Sequence, residues 1–330
     1  MSTVSADVVS AQDTRKWTSF VGDFLIRHIM IVVMLLIVAF FAYRSARFAT
    51  PDNVLTILIA AAPFALIALG QTLVILTGGI DLSVGSVIAA SAMAGAWSAK
   101  TFGDNPLYPL LAAVFAGLIA GAINGFVVSR LNVPPFIATL GMLTLASGVA
   151  YVIGNGAPIN GLPASYGMWA NTGVGGFTIP VILMIVAIIA FAFIMRRTSY
   201  GLRVYAVGGN RLAAEIAGVR SKRVLFSVYV ISGLLAGLSG LMLSSRVITG
   251  APNLGQGYEL DAIAAVVIGG ASLMGGRGTI WGTAIGLLLI QTINNGLDLL
   301  LVPAYWQNVI KGVIIVAAVA VDVWAAKRRK

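Results

Sequence analysis

Residues 53–77, NVLTILIAAAPFALIALGQTLVILT, run without one charged side chain. A bilayer core about 30 Å thick is crossed by a helix of about 20 such residues. This restricts the fold more than any other feature, because backbone polar groups in hydrocarbon must be paired within their own segment. The pattern recurs along the chain, at about 25–43, 54–77, 84–99, 109–129, 136–153, 178–195, 224–243, 261–275, 279–297 and 304–323. The expected fold class is therefore an all-α integral membrane protein of about ten transmembrane helices. Composition agrees: 59% of residues are hydrophobic, 10% are charged, and the mean hydropathy is +0.97. A soluble domain carries about 25% charged residues. Residues 1–23 read as a cytoplasmic tail, 24–324 as one transmembrane domain and 325–330 as a basic tail.

No small-x-small cleavage site follows 25–43, and the chain continues YRSARF into the next span, so this is read as an uncleaved helix. The pairs 54–77/84–99 and 261–275/279–297 are interrupted by glycine and serine, and re-entrant or broken helices are the alternative there. Charge orients the chain. The outer segments hold only Arg44, Arg47, Lys100 and Arg246, and Lys311 falls within the last span; the rest of the 21 basic residues lie on inner segments. Both termini are expected in the cytoplasm. The same bias explains a net charge of +10 without a nucleic-acid partner.

Several chemistries are excluded. There is no cysteine, hence no disulfide or thiol nucleophile, and the single histidine, His28, beside Arg27, reads as an interfacial anchor. No metal site and no catalytic constellation can be assembled. No G-x-x-x-x-G-K-[ST] loop occurs, so no ATP site of that type is expected.

Three segments call for a function. GGIDLSVGS (78–86) puts Asp81 at the break between two spans, read as the cytoplasmic side; Asp81 or Ser83 can cap the helix that starts there. Gly117, Gly121 and Gly125, and again Gly278, Gly282 and Gly286, recur every fourth residue, a device for close helix packing. Their places in the fourth and ninth spans are compatible with a five-plus-five inverted repeat. The inner loop 196–223 contains NRLAAEIAGV (210–219), a short helix that Asn210 can cap and Gly218 can end, with a small-residue face suited to a protein cleft. Gly208 and Gly209 before it read as flexible punctuation. The glycine-rich outer loop 154–177 reads as a shaped surface loop or a connector.

GGIDLSVGS, YAVGGNRLAAEIAGV (205–219) and GYELDAIAAVVIGGASLMGGRG (257–278) together resemble the permease subunits of bacterial ATP-binding cassette sugar importers of the ribose type, over about residues 50 to 322. The resemblance implies a multi-pass protein of the bacterial inner membrane that is not itself an enzyme. It would pair with a second permease subunit, a homodimer, and it would hold no cofactor, ATP and Mg belonging to a cytoplasmic ATPase. An extracytoplasmic binding protein would deliver a monosaccharide or related polyol, and membrane lipid is the remaining partner. It further implies that Asn210, Arg211, Ala213, Ala214, Glu215, Ala217, Gly218 and Val219 couple to the ATPase. Asp81, Ser83, Asn124, Thr139, Gln291, Asn294 and Asn295 are candidate pathway residues, each also suited to bonding one helix to another. Arg246, Glu259 and Asp261 are candidates for docking the binding protein. The competing readings are a branched-chain amino-acid permease of the same class and an ion-coupled secondary transporter. The latter would use Asp81 as its ion site. Lys311 is expected to snorkel to the outer interface or to line the pathway.

Overall fold

The structure, a computed structural model, describes residues 30–313 and 316. The N-terminal tail, His28, the inner part of the last span and the basic tail lie outside the described residues. The helices in chain order are α1 (Met30–Arg44), α2 (Pro51–Leu76), α3 (Val84–Phe102), α4 (Leu107–Ser129), α5 (Pro135–Ile153), α6 (Met168–Asn171), α7 (Ile179–Arg197), α8 (Ser199–Gly209), α9 (Arg211–Ile216), α10 (Ser221–Val247), α11 (Tyr258–Ile268), α12 (Ile280–Leu299) and α13 (304–313).

Among the described residues five helices are long and apolar enough to cross a membrane: α2, α4, α5, α7 and α10. The departures from ten equal spans have physical reasons. Helix α3 is sheathed by protein for most of its length, so it is built of Ala, Gly and Ser rather than of bulky apolar residues. Helix α12 carries Gln291, Asn294, Asn295 and Asp298, which dilute its hydropathy. The expected span 261–275 is not one helix. At about 1.5 Å per residue, α11 covers only about 16 Å and cannot cross a core of about 30 Å. A glycine-rich reversal over 269–279 follows it.

The core is the crossing of α2 and α10. Gly70 lies so near α10 that a Cβ there would sit 3.0 Å from the Ser232 Cα. Helix α4 packs on α3 and α10, and α12 packs on α11 and α2. Both glycine series lie in these contacts. A side chain at Gly117 would collide with the Gly233 carbonyl, at Gly121 with the Tyr229 carbonyl, and at Gly286 with the Ala265 carbonyl. The period of four therefore lets backbones touch, as expected.

The segment after α2 departs from the sequence reading. Its chain runs back beside α2 instead of reversing at the membrane surface. The Gln71 amide, in the orientation that satisfies both its ends, donates to the Asp81 carbonyl at 3.1 Å and accepts from the Asp81 N–H at 3.3 Å. Asp81 also meets Ser232, eleven positions past the start of α10 and thus about 16 Å along a helix about 40 Å long. Asp81 therefore sits deep within the bundle and not at its cytoplasmic edge. Non-helical backbone is tolerated at that depth because it is buried in protein. The segment after α10 also turns inward: Gly255 packs on Gly85 and Ile88 near the start of α3.

The loop 154–177 is shaped. A 3-10 turn (Ala164–Gly167) leads into α6, and β1 (Gly173–Val174) pairs antiparallel with β2 (Phe177–Thr178). Tyr166 is buried and its hydroxyl pairs with the Ser244 hydroxyl at 2.6 Å, while Trp169 Nε1 donates to the Pro106 carbonyl at 2.8 Å.

Candidate functional site: a polar interior and a surface helix

The break between α2 and α3 gathers four of the predicted residues. Asp81 Oδ1 accepts from the Ser83 N–H at 2.9 Å and from the Ser83 hydroxyl at 2.6 Å; Oδ2 accepts from the Ser232 hydroxyl at 3.0 Å. Asn124 on α4 donates to Ser83 Oγ at 2.9 Å. Thr139 on α5 donates to the Ile80 carbonyl at 3.1 Å. Ser83 occupies the N-cap position of α3, but its hydroxyl serves Asp81 and does not cap the helix. The carboxylate thus ties the break to α10, with protein donors on both oxygens.

The α12 amides stand apart from this cluster. Asn295 and Asn53 exchange two hydrogen bonds, at 2.8 and 2.9 Å, joining the end of α12 to the start of α2. Asn294 Oδ1 is buried without a partner among the described residues, and Gln291 is half-buried.

Beside the break lies a cavity of about 210 Å³, between the start of α3, the middle of α5 and the inward loop before α11. Ser86, Ser147, Tyr151, Asn253, Gln256 and Glu259 supply its polar groups. Glu259 Oε1 accepts from the Gly257 N–H at 3.2 Å. Hydroxyls, two amides and one carboxylate on an otherwise apolar wall suit a neutral, hydroxyl-rich solute. Sequence reasoning missed five of these six residues. Asn253 and Gln256 were signalled by the polar patch PNLGQG (252–257) and Ser86 by its place in GGIDLSVGS, whereas Ser147 and Tyr151 carried no signal.

Of the three residues expected to dock a binding protein, only Arg246 is exposed. Glu259 lines the cavity, and Asp261, 9% exposed, pairs with Lys311 Nζ at 2.9 Å. Lys311 therefore bonds inward, contrary to the expected snorkelling.

After α8, Asn210 caps α9 by accepting from the Ala213 N–H at 3.0 Å, and Gly218, at φ +83°, ends the turn. Ala214 is the buried member. Leu212, Ala213, Ile216 and Ala217 are exposed, with Leu212 and Ile216 at 69% and 81%. The sequence reading places Ile216 on the small, partly apolar face with Ala213, Ala214 and Ala217, but does not single out Leu212. The stretch 199–209, read as loop, is helix α8. Gly208 is its point of close approach: a side chain there would collide with the Leu76 carbonyl at the end of α2. Tyr205 donates to the Gly278 carbonyl at 2.9 Å. Helix α9 is thus carried on an element packed closely against the end of α2 and bonded to the reversal before α12. The Ser221 hydroxyl, then Arg211, hold the Glu215 carboxyl below its ordinary value.

Known proteins now decide the family. Residues 53–319 match the family described as branched-chain amino acid transport system / permease component. The chain belongs to that family. It is 41% identical to the ribose import permease protein of Bacillus subtilis over 91% of this chain and 92% of that one. It is 37% identical to the D-allose transport system permease protein of Escherichia coli, over 88% and 89%. It is 35% identical to the fructose import permease protein of Rhizobium meliloti, over 90% and 85%. No solved structure gives a significant match. The chain is the multi-pass permease component of an import system, of the ribose type expected from its motifs, and the ATPase is a separate subunit.

Proposed function

We propose that this permease forms the inner-membrane pathway for a monosaccharide, handed over by an extracytoplasmic binding protein and driven by ATP hydrolysis in a partner docked on α9. The observation that carries this reading is the 41% identity to a ribose import permease along nine-tenths of the chain. The cavity beside the break supports it chemically, since a neutral solute rich in hydroxyls needs hydrogen-bonding groups but no counter-charge. The exposed Leu212 and Ile216 give α9 an apolar face for a partner groove. The links from α8 to Leu76 and Gly278 give that partner a route to the break. ATP and Mg belong to the ATPase.

Two features support a five-plus-five inverted repeat of about ten spans with both termini inside. Helices α2 and α10 are each followed by a segment that turns into the bundle, and the glycine-laddered α4 and α12 pack on α10 and α2 respectively. The arrangement fits transporter folds whose broken helices meet near the membrane midplane. A homodimer is supported by α5: Gly141 and Gly148 lie on an exposed face with no atom within 4 Å of a modest side chain. Such glycines admit a second helix.

The test is uptake by the chain reconstituted with its ATPase and binding protein, screening pentoses, hexoses and polyols. ATP-dependent uptake of one sugar is expected. Transport of a branched-chain amino acid, or uptake in ATP-depleted vesicles under an imposed ion gradient, would overturn the proposal. Asp81 is a poor ion site, because three protein donors already occupy its oxygens.

A further inference from the structure

Where the cytoplasmic end of α4 meets the start of α10, a cleft of about 370 Å³ is lined by Phe126, Arg130, Lys222, Arg223 and Phe226. All five side chains are exposed. The lining contains no carboxylate, and none of the three cations has a salt bridge among the described residues, where the ion pairs are Arg211–Glu215 and Lys311–Asp261. Glu215 stands near Lys222, but its carboxylate is bonded to Ser221 and Arg211.

Lys222 and Arg223 lie in the first turn of α10, and Arg220 at the N-cap makes no side-chain capping bond. A helix start favours an anion and disfavours cations. An anion in the cleft would meet three cations and relieve that repulsion as well. The two rings fix the kind of anion. Phe126 precedes Arg130 by one turn and Phe226 follows Lys222 by one turn, so each ring lies about 6 Å deeper into the membrane than its cation. Phe126 is 51% exposed and Phe226 39%. We propose that this cleft is a binding site for an anionic phospholipid of the inner leaflet, its phosphate held by Arg130, Lys222 and Arg223 and its acyl chains lying on Phe126 and Phe226. Basic clefts between membrane helices on the cytoplasmic side take such headgroups. A soluble partner would use the cations but would leave both rings in hydrocarbon.

The test uses the full-length chain in detergent, with native mass spectrometry counting retained phosphatidylglycerol against phosphatidylcholine. R130Q/K222Q/R223Q should weaken phosphatidylglycerol retention by about fivefold per charge removed. The control R196Q/R197Q/R203Q, which removes the same charge elsewhere on the inner side, should change it less than twofold. Acetylation of Lys222 by a neutral amine reagent reads the site in the unaltered chain. Phosphatidylglycerol should slow it severalfold relative to Lys100, and inorganic phosphate or soluble glycerol phosphate should not. Equal retention by both triple variants, or equal protection by free phosphate, would sink the proposal. So would unchanged lipid retention with lost ATPase co-purification, which would make the cleft a partner surface.

Discussion

Asp81 is a carboxylate whose surroundings are all donors. Its two oxygens accept from the Ser83 N–H and from two hydroxyls, which can rotate to accept instead. Asp81→Asn should therefore keep most of its bonding, retain appreciable uptake and lower the melting temperature modestly. Asp81→Leu strands a buried N–H and should cost about 1–3 kcal/mol, read as a larger melting shift in the same detergent. Abolished uptake in a stable, fully assembled Asp81→Asn would point to a direct role in transport. That a carboxylate would bond the chain at this break was legible in GGIDLSVGS; the expected helix cap is not formed, and the depth of the residue was not legible. Counting spans places every break at a membrane surface, whereas this one is drawn inward by a bond to Ser232, 151 residues away, and by a fold-back onto Gln71 that periodicity does not show. Glu215 gives a pH prediction. Its folded pKa lies below the ordinary 4.5, so its bonds to Ser221 and Arg211 contribute stability above that value and lose it as pH falls through the folded one. The protection factors of the amides over 211–219, corrected for intrinsic exchange, should be constant near neutral pH and fall on acidification below about 4.5. Glu215→Gln should remove the acid-dependent step.

At the level of elements, the glycine ladders and helix α9 were read differently well. A period of four on an apolar helix marks a packing face whatever the partner, so the α4 ladder was legible even though its partner, α10, was not. Gly121→Leu should break the α4–α10 contact and cost at least the 1–3 kcal/mol of ordinary overpacking, read as loss of the folded monomer peak after solubilisation. Helix α9 was located by its cap and its terminal glycine. Which of its residues are covered was not legible, because a six-residue helix offers little periodicity and coverage depends on α8 and α10. The consequence can be measured. Leu212→Asp with Ile216→Asp should abolish co-purification of the ATPase while leaving insertion and melting unchanged, since both side chains are exposed. Ala214→Leu should instead lower stability, because Ala214 is 5% exposed and packs on the body of the protein. If Ala214→Leu alone disrupts docking and the double variant does not, the face is wrong.

For the molecule as a whole, the sequence conveyed a helical membrane protein and its signature segments but could not say which helices are sheathed by protein and which face lipid. That distinction bears on assembly. Helix α5 is exposed along Gly141, Leu145, Gly148 and Val152, positions that share one side of a helix. Isolated glycines on a face meant only for lipid would weaken the helix by about 0.5–1 kcal/mol each relative to alanine, with no packing in return. A second copy crossing there makes sense of them, and a two-fold axis near Gly148 would bring that residue close to its own counterpart. The absence of cysteine makes the test clean, because every introduced thiol is unique. Gly148→Cys, oxidised in native membranes, should give a dimer on a non-reducing gel. Val186→Cys on α7, also exposed, at 55%, should remain monomeric. Gly141→Ala should leave monomer melting unchanged or slightly raised while weakening the dimer. Cross-linking through Val186 with none through Gly148 would move the proposed interface from α5 to α7. Uptake measured on the cross-linked Gly148→Cys dimer, before and after reduction, would then show whether transport requires the two copies to move against each other along this seam.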